Sequence, residues 1–185
     1  MILSIHQPNF FPWYPYFEKI ANSDIFVIMV NCQYEKNNYQ NRFKMNEKWY
    51  TMSVLKGNDS INEKRYMTPL EDWRQIKSKL PLFGSILSRF DNCITENLAI
   101  TNVKLILALC DIMKIKTKIY LDYPTTLTGT DRLIDICKTH GATKYLSGES
   151  GSKYLELDKF YNNLEILYHT NQTKKPILEV LNEIG

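Results

Sequence analysis

The residues best suited to chemistry sit near the start of the chain, at His6-Gln7-Pro8-Asn9, directly before the rings of Phe10, Phe11, Trp13, Tyr14, Tyr16 and Phe17. An imidazole titrates near neutrality, so His6 could deprotonate an attacking amine or hydroxyl. It could equally serve as a hydrogen-bonding group of the turn. Gln7 and Asn9 supply amides that could fix a bound molecule. Pro8, Pro12 and Pro15 stiffen the segment and lower the entropy lost on binding. Phe10, Phe11 and Phe17 read as packing residues. Trp13, Tyr14 and Tyr16 have polar handles and could form a wall for a sugar or a base.

A second constellation is Ser147-Gly148-Glu149-Ser150-Gly151. Glycines let a backbone approach a ligand closely. A helix starting at Gly151 would aim free N–H groups at an anion, with Ser147 and Ser150 beside it. The plainer reading is a strand-to-helix turn with serine caps. A third group lies in the central loops. Arg42 stands among Tyr34, Tyr39 and Asn41, which could order its guanidinium as a phosphate or carboxylate clamp. Lys56 precedes Gly57 and adds a second cation. Lys36, Lys44 and Lys48 read as solvated. Asp24, Asp122 and Asp131 are acids that could orient a base.

These groups need strands to hold them. Ile2 to Ile5 reads as a short buried strand, and Trp13, Phe17 and Ile20 mark one helical face up to Ala21. Ile25 to Val30 is a continuous apolar run, typical of a strand covered on both faces. Strand, helix and strand in succession suggest a βαβ unit. Residues 31–48 lack a steady period and read as a loop with short strand pieces. Trp49 to Val54 is a strand, followed by a turn at Lys56-Gly57-Asn58-Asp59. Helices are expected from Thr68 to Leu82, Phe83 to Phe90 and Asn97 to Met113. The last third alternates again: strand Thr117 to Leu121, helix Thr130 to Thr139, strand Lys144 to Leu146, a helical turn at Gly151 to Leu155, strand Leu164 to Tyr168 and helix Pro176 to Ile184. Ligands of open parallel sheets bind beyond the carboxyl ends of the strands. His6-Gln7, Ser147 to Gly151 and His169 all fall at that edge.

With 185 residues, a single domain spanning 1–185 is expected. The formal charge of +3 and the scattered lysines give no support for nucleic acid. Cys32, Cys93, Cys110 and Cys137 form no C-x-x-C pair and read as buried thiols, with Cys32 the one to watch for reactivity. No G-x-G-x-x-G, Walker or G-x-S-x-G spacing occurs, and no motif names a cofactor or metal. The absence of a leader pattern or a long apolar run leads to the expectation of a cytoplasmic protein without a transmembrane segment.

The opening IHQPNFFPWYPYFEKIANSDIFVI, the stretch QYEKNNYQNRFKM, the later LKG, TDRLIDICKTHGATKYLSGESGSKYLE and the terminal ILEVLNEIG together closely resemble the WbqC-like family of bacterial proteins. Two departures stand out: Pro15 replaces an expected glycine, and HTNQTKK after Tyr168 is short, which weakens any carry-over at His169. The resemblance implies a role in making surface polysaccharide such as O-antigen. It implies a nucleotide-linked sugar as partner and, as a proposal, transfer of an acyl or aminoacyl group from a donor to a sugar amine. A more distant likeness is to nucleotidyltransferases with a HIGH motif. Tyr16 stands near the place of that motif's second histidine. Adenylyl transfer and non-catalytic sugar-nucleotide binding are therefore the alternatives. The expected fold is α/β: a mainly parallel, Rossmann-like or nucleotidyltransferase-like sheet with helices on both faces and a central loop and helical insertion.

Overall fold

The computed structural model describes residues 1–153, 155–160, 164–170 and 173–185. Its framework is a five-stranded parallel sheet built from β1 (Ile2–His6), β2 (Ile25–Ile28), β5 (Lys118–Leu121), β6 (Lys144–Gly148) and β7 (Glu165–His169), in the order β5-β2-β1-β6-β7. The chain builds outward from β1 through β2 to β5, then returns to the other side of β1 with β6. The strand order therefore reverses between β1 and β6, which is where such sheets open a crevice. The register runs from Leu3 opposite Ile25 to His6 opposite Ile28, and from Ile2 opposite Lys144 to Ser4 opposite Leu146.

Alternation along the strands divides the apolar residues between two faces. Leu3, Ile5, Ile25 and Val27 pack with Leu133, Ile136 and Cys137 of α5 (Gly129–Thr139). Phe26 and Ile28 pack on the opposite side with Phe17 and Ile20 of α1 (Tyr14–Ala21) and with Leu105, Ile106 and Leu109 of α4 (Leu98–Ile112). All four β2 residues are buried, as the unbroken IFVI run requires.

The aromatic segment after β1 is largely core. Phe10 and Phe11 are 0% and 2% exposed, and Phe11 stacks on Trp73 of α2 (Pro69–Lys79) with centroids 5.7 Å apart. Phe11 has φ 44°, a conformation that a bulky side chain enters only when its surroundings hold it there. Phe43 and Phe90 complete that packing. These rings fasten the insertion between β2 and β5 to the sheet.

Part of that insertion differs from the sequence reading. Residues 42–51 form an antiparallel hairpin, β3 (Arg42–Met45) and β4 (Lys48–Thr51), where a loop with short strand pieces followed by a strand from Trp49 to Val54 was expected. Its turn is Asn46-Glu47, with φ 49° and 60°. That is the left-handed pair of a tight hairpin, carried here by Asn-Glu in place of the Asn-Gly that announces such turns. The region 81–90 holds only a short 3₁₀ turn and α3 (Gly84–Ser88), and α6 (Ile177–Ile184) closes the chain. β6 continues through Ser147 and Gly148, so the expected glycine turn starts two residues later than the sequence reading placed it.

Candidate functional site

A cavity of about 710 Å³ lies at the carboxyl ends of β1, β2 and β6, against the start of α5. His6 and Gln7 enter it from β1, and Gly148 from β6. They do so because parallel pairing brings both strands to the same edge at the point where the order reverses. The volume suits a small organic ligand or cofactor.

His6 is held from two sides. Its ring meets the edge of Tyr16 at 4.9 Å, and Nδ1 lies 3.0 Å from the Gln7 carbonyl oxygen. That oxygen can only accept, so Nδ1 carries the hydrogen and Nε2 carries the lone pair. Among the described residues Nε2 has no partner. The Tyr16 hydroxyl donates to the same Gln7 oxygen at 3.1 Å, and Gln40 donates to the Gln7 side chain at 2.7 Å. Burial first, and the nearby Lys19 charge second, push the imidazole down from 6.5 to about 4. His6 is therefore neutral across the physiological range.

Two cations in the cavity wall were not singled out from the sequence. Lys19, from α1, is 6% exposed and donates to the Ile5 carbonyl at 2.8 Å. Among the described residues no carboxylate pairs with it. Burial pushes its ammonium down from 10.5 to about 7. Arg132, from α5, is 7% exposed and pairs with Asp122 just beyond β5. Asp122 also accepts from the Val30 and Asn31 amides at 2.8 and 3.1 Å, so its charge is satisfied locally. Both cations were hidden by periodicity: Lys19 falls between Phe17 and Ile20, and Arg132 adjoins Leu133 in an amphipathic helix whose charged residues read as its solvated face.

The other expected site residues are placed elsewhere. Ser147 is wholly buried, and a Cβ added at Gly151 would fall 1.8 Å from its Oγ. The S-G-x-x-G spacing thus lets a buried serine pack under a side-chain-free backbone. Gly151 lies inside a five-residue 3₁₀ turn (Glu149–Lys153), so it does not begin a helix with amides aimed at an anion. The side chain of Ser150 lies outside the described residues. Arg42 is on the hairpin, with its guanidinium 4.1 Å over the Trp49 ring and bonded to the Asn37 carbonyl, and it does not reach this cavity. Asn41 is buried and holds the Met52 carbonyl at 2.7 Å, and Tyr34 donates to Asn41 at 3.1 Å. Lys56 is exposed on its turn. The adjoining Gly57 carbonyl and Asp59 instead receive the buried Lys64. Asn9 and Tyr16 are buried, and Trp13 is exposed beside a separate surface depression near α6.

His169 ends β7 and faces Glu18 at 3.8 Å, away from the cavity. Cys32 does line the cavity, but burial and then Asp122 push its thiol up to about 11, so it is no thiolate. Among the described residues no group of three His, Cys, Asp or Glu side chains is placed to hold a metal ion, and no helix is long and apolar enough to cross a membrane.

The fold and the crevice define the class: a Rossmann-like α/β protein with a ligand-sized cavity at its topological switch point. A family model described as the WbqC-like protein family matches residues 7–177, and the chain belongs to that family. It is also similar to an uncharacterized protein, Rv1507c, of Mycobacterium tuberculosis, with 28% identity over 89% of this chain and 79% of that protein. No solved structure matches it.

Proposed function

We propose that the chain is an enzyme that transfers an acyl or aminoacyl group to the amine of a nucleotide-linked amino sugar, with the switch-point cavity as its active site. The observation that carries this reading is the neutral His6 imidazole in the cavity wall, with its Nδ1–H fixed on the Gln7 carbonyl and its Nε2 lone pair unused. The sugar amine attacks the acyl carbonyl, a C–N bond forms and the bond to the donor's leaving group breaks. Nε2 takes the proton that the amine nitrogen must shed. The Gln7 carbonyl, which also holds Tyr16, keeps the ring oriented through the transfer. The place of this reaction in bacterial surface-glycan synthesis, O-antigen included, rests on the family resemblance and on nothing in the geometry.

Adenylyl transfer has less support. The Tyr16 hydroxyl, near the place of the second HIGH histidine, is turned to the Gln7 carbonyl. The test is incubation of the protein with UDP- or dTDP-linked 4-amino sugars and acyl or aminoacyl donors, with products read by mass spectrometry. An N-acylated sugar nucleotide is expected, with turnover lost in His6→Gln. Product formed equally by His6→Gln would remove the base. Ligand binding with no product from any donor would favour a non-catalytic sugar-nucleotide binding protein.

A further inference from the structure

The cavity holds a basic side chain that no carboxylate pairs with among the described residues. Arg132 is neutralised by Asp122, whose oxygens are shared with Val30 and Asn31. Lys19 has only the Ile5 carbonyl. Of the carboxylates nearby, Glu35 is exposed at the rim and engages Asn38 at 2.6 Å, and Asp131 pairs with Lys159 at 2.9 Å beside a different, smaller depression. The remaining titratable groups facing the cavity are His6 and Cys32, both neutral near pH 7, and the Tyr145 phenol.

A second source of positive potential meets Lys19 in the same space. The eleven-residue α5 starts at the cavity, with Thr128 and Gly129 in its wall. Its N-cap, Thr128, makes no side-chain capping bond. The first amides of a helix lack intrahelical partners and favour an anion. Gly129 has φ 54°, and a Cβ there would meet nothing within 4 Å, so the backbone is open on that side. At the start of α1, by contrast, the Tyr14 amide is bonded to the Lys175 carbonyl.

We infer that a phosphoryl group of the ligand sits between Lys19 and the start of α5, supplying the counter-anion that the protein withholds from Lys19. The inference rests on the proposed use of this cavity and names the part of the substrate that anchors there. A buried ammonium without a partner is costly, and an anion beside it restores the charged form. Binding should therefore be accompanied by proton uptake. Above pH 7 an unliganded Lys19 is mostly neutral, so the proton enters with the ligand. The terminal phosphate of uridine diphosphate is ionised at pH 8, and a neighbouring ammonium lowers its proton affinity further, so the proton taken up belongs to Lys19.

The experiment is calorimetry at pH 8 in Tris and in HEPES, whose different ionisation enthalpies reveal proton exchange, with uridine diphosphate and inorganic pyrophosphate as separate probes. Uridine diphosphate is expected to bind with uptake of up to one proton. Pyrophosphate binding with similar affinity would show that the phosphoryl groups alone are recognised. Much weaker pyrophosphate binding would show that the nucleoside contributes as well. Lys19→Met should weaken binding by about tenfold or more and abolish the uptake. Lys19→Arg, always charged, should bind without it. Wild-type binding of uridine diphosphate without uptake, unchanged affinity in a folded Lys19→Met protein, or no binding of either probe would overturn the inference. Acyl transfer could fail while this linkage holds, or succeed without it, so the two proposals fail separately.

Discussion

Arg132 and Lys19 reach one cavity from opposite elements, α5 and α1, and both are more than nine-tenths buried. Arg132 comes with its counter-charge: Asp122 pairs with it, and two backbone amides hold Asp122 in place. Lys19 comes with a single carbonyl. The first charge is balanced within the protein and belongs to the fold, although the buried Arg132 Nε has no partner among the described residues. The second leaves a charge that the protein does not balance, which is what a binding site retains for a ligand.

The largest expected effect separates the two cations directly. Arg132→Met leaves Asp122 buried and unpaired and should cost about 3–5 kcal/mol in urea unfolding. Lys19→Met removes a buried charge with no carboxylate partner and should leave stability unchanged or raised at pH 7, as apolar replacements of buried ions often do. Equal destabilisation by both substitutions would erase the distinction.

A somewhat smaller effect is set by pH. His6 is near 4 in the folded protein and near 6.5 when unfolded. Between those values the unfolded chain binds more protons, so stability rises with pH across that window and is progressively lost as pH falls from 6.5 to 4. The shift corresponds to about 3 kcal/mol. His6→Gln should lack this slope, and denaturant midpoints measured from pH 4 to 7 would show whether it does. The proposed acyl transfer should likewise lose its base only as His6 takes a proton, well below pH 6.5.

The two glycines beyond Ser147 extend the same contrast between closed and open sites. Gly151→Ala places Cβ against Ser147 Oγ and should cost about 1–3 kcal/mol by overpacking. Gly148→Ala meets nothing within 4 Å and should be almost neutral. Ser147→Ala combined with Gly151→Ala should recover much of the loss, since Oγ is the nearest obstacle. Thermal unfolding of the three variants checks this. Finally, Lys19→Met should raise the His6 pKa from about 4, because one cause of its depression is gone. Histidine nuclear magnetic resonance titration reads that shift.

The parallel sheet could be read from IFVI and from the regular alternation of the last third, because a doubly covered strand has no polar face to disguise it. His6 and Gln7 were visible as polar residues at a strand end. Lys19 and Arg132 were not, since an isolated cation in an apolar helical stripe looks like a side chain that reaches out to water. Only the tertiary fold shows that each points into a cavity. The position of Arg42 outside this cavity was not legible for the converse reason. Its stacking on Trp49 depends on the hairpin register, Lys44 opposite Trp49 and Arg42 opposite Thr51, which an Asn46-Glu47 turn does not announce. The Ser147 to Gly151 motif stands out for its glycines, but Gly151 is required by the packing of Ser147, and among the described residues of the motif it is Gly148 that lines the cavity.

The central claim is that the space at the β1 and β6 strand ends holds the substrate. Gly148→Phe tests it most directly, because a ring there projects from the cavity wall where an added Cβ finds no protein atom within 4 Å. A nucleotide-linked amino sugar titrated by calorimetry into wild type and into a Gly148→Phe protein of matched thermal stability should bind the first and lose about tenfold or more in affinity for the second. Equal affinity in the two proteins would contradict the account and place the ligand elsewhere.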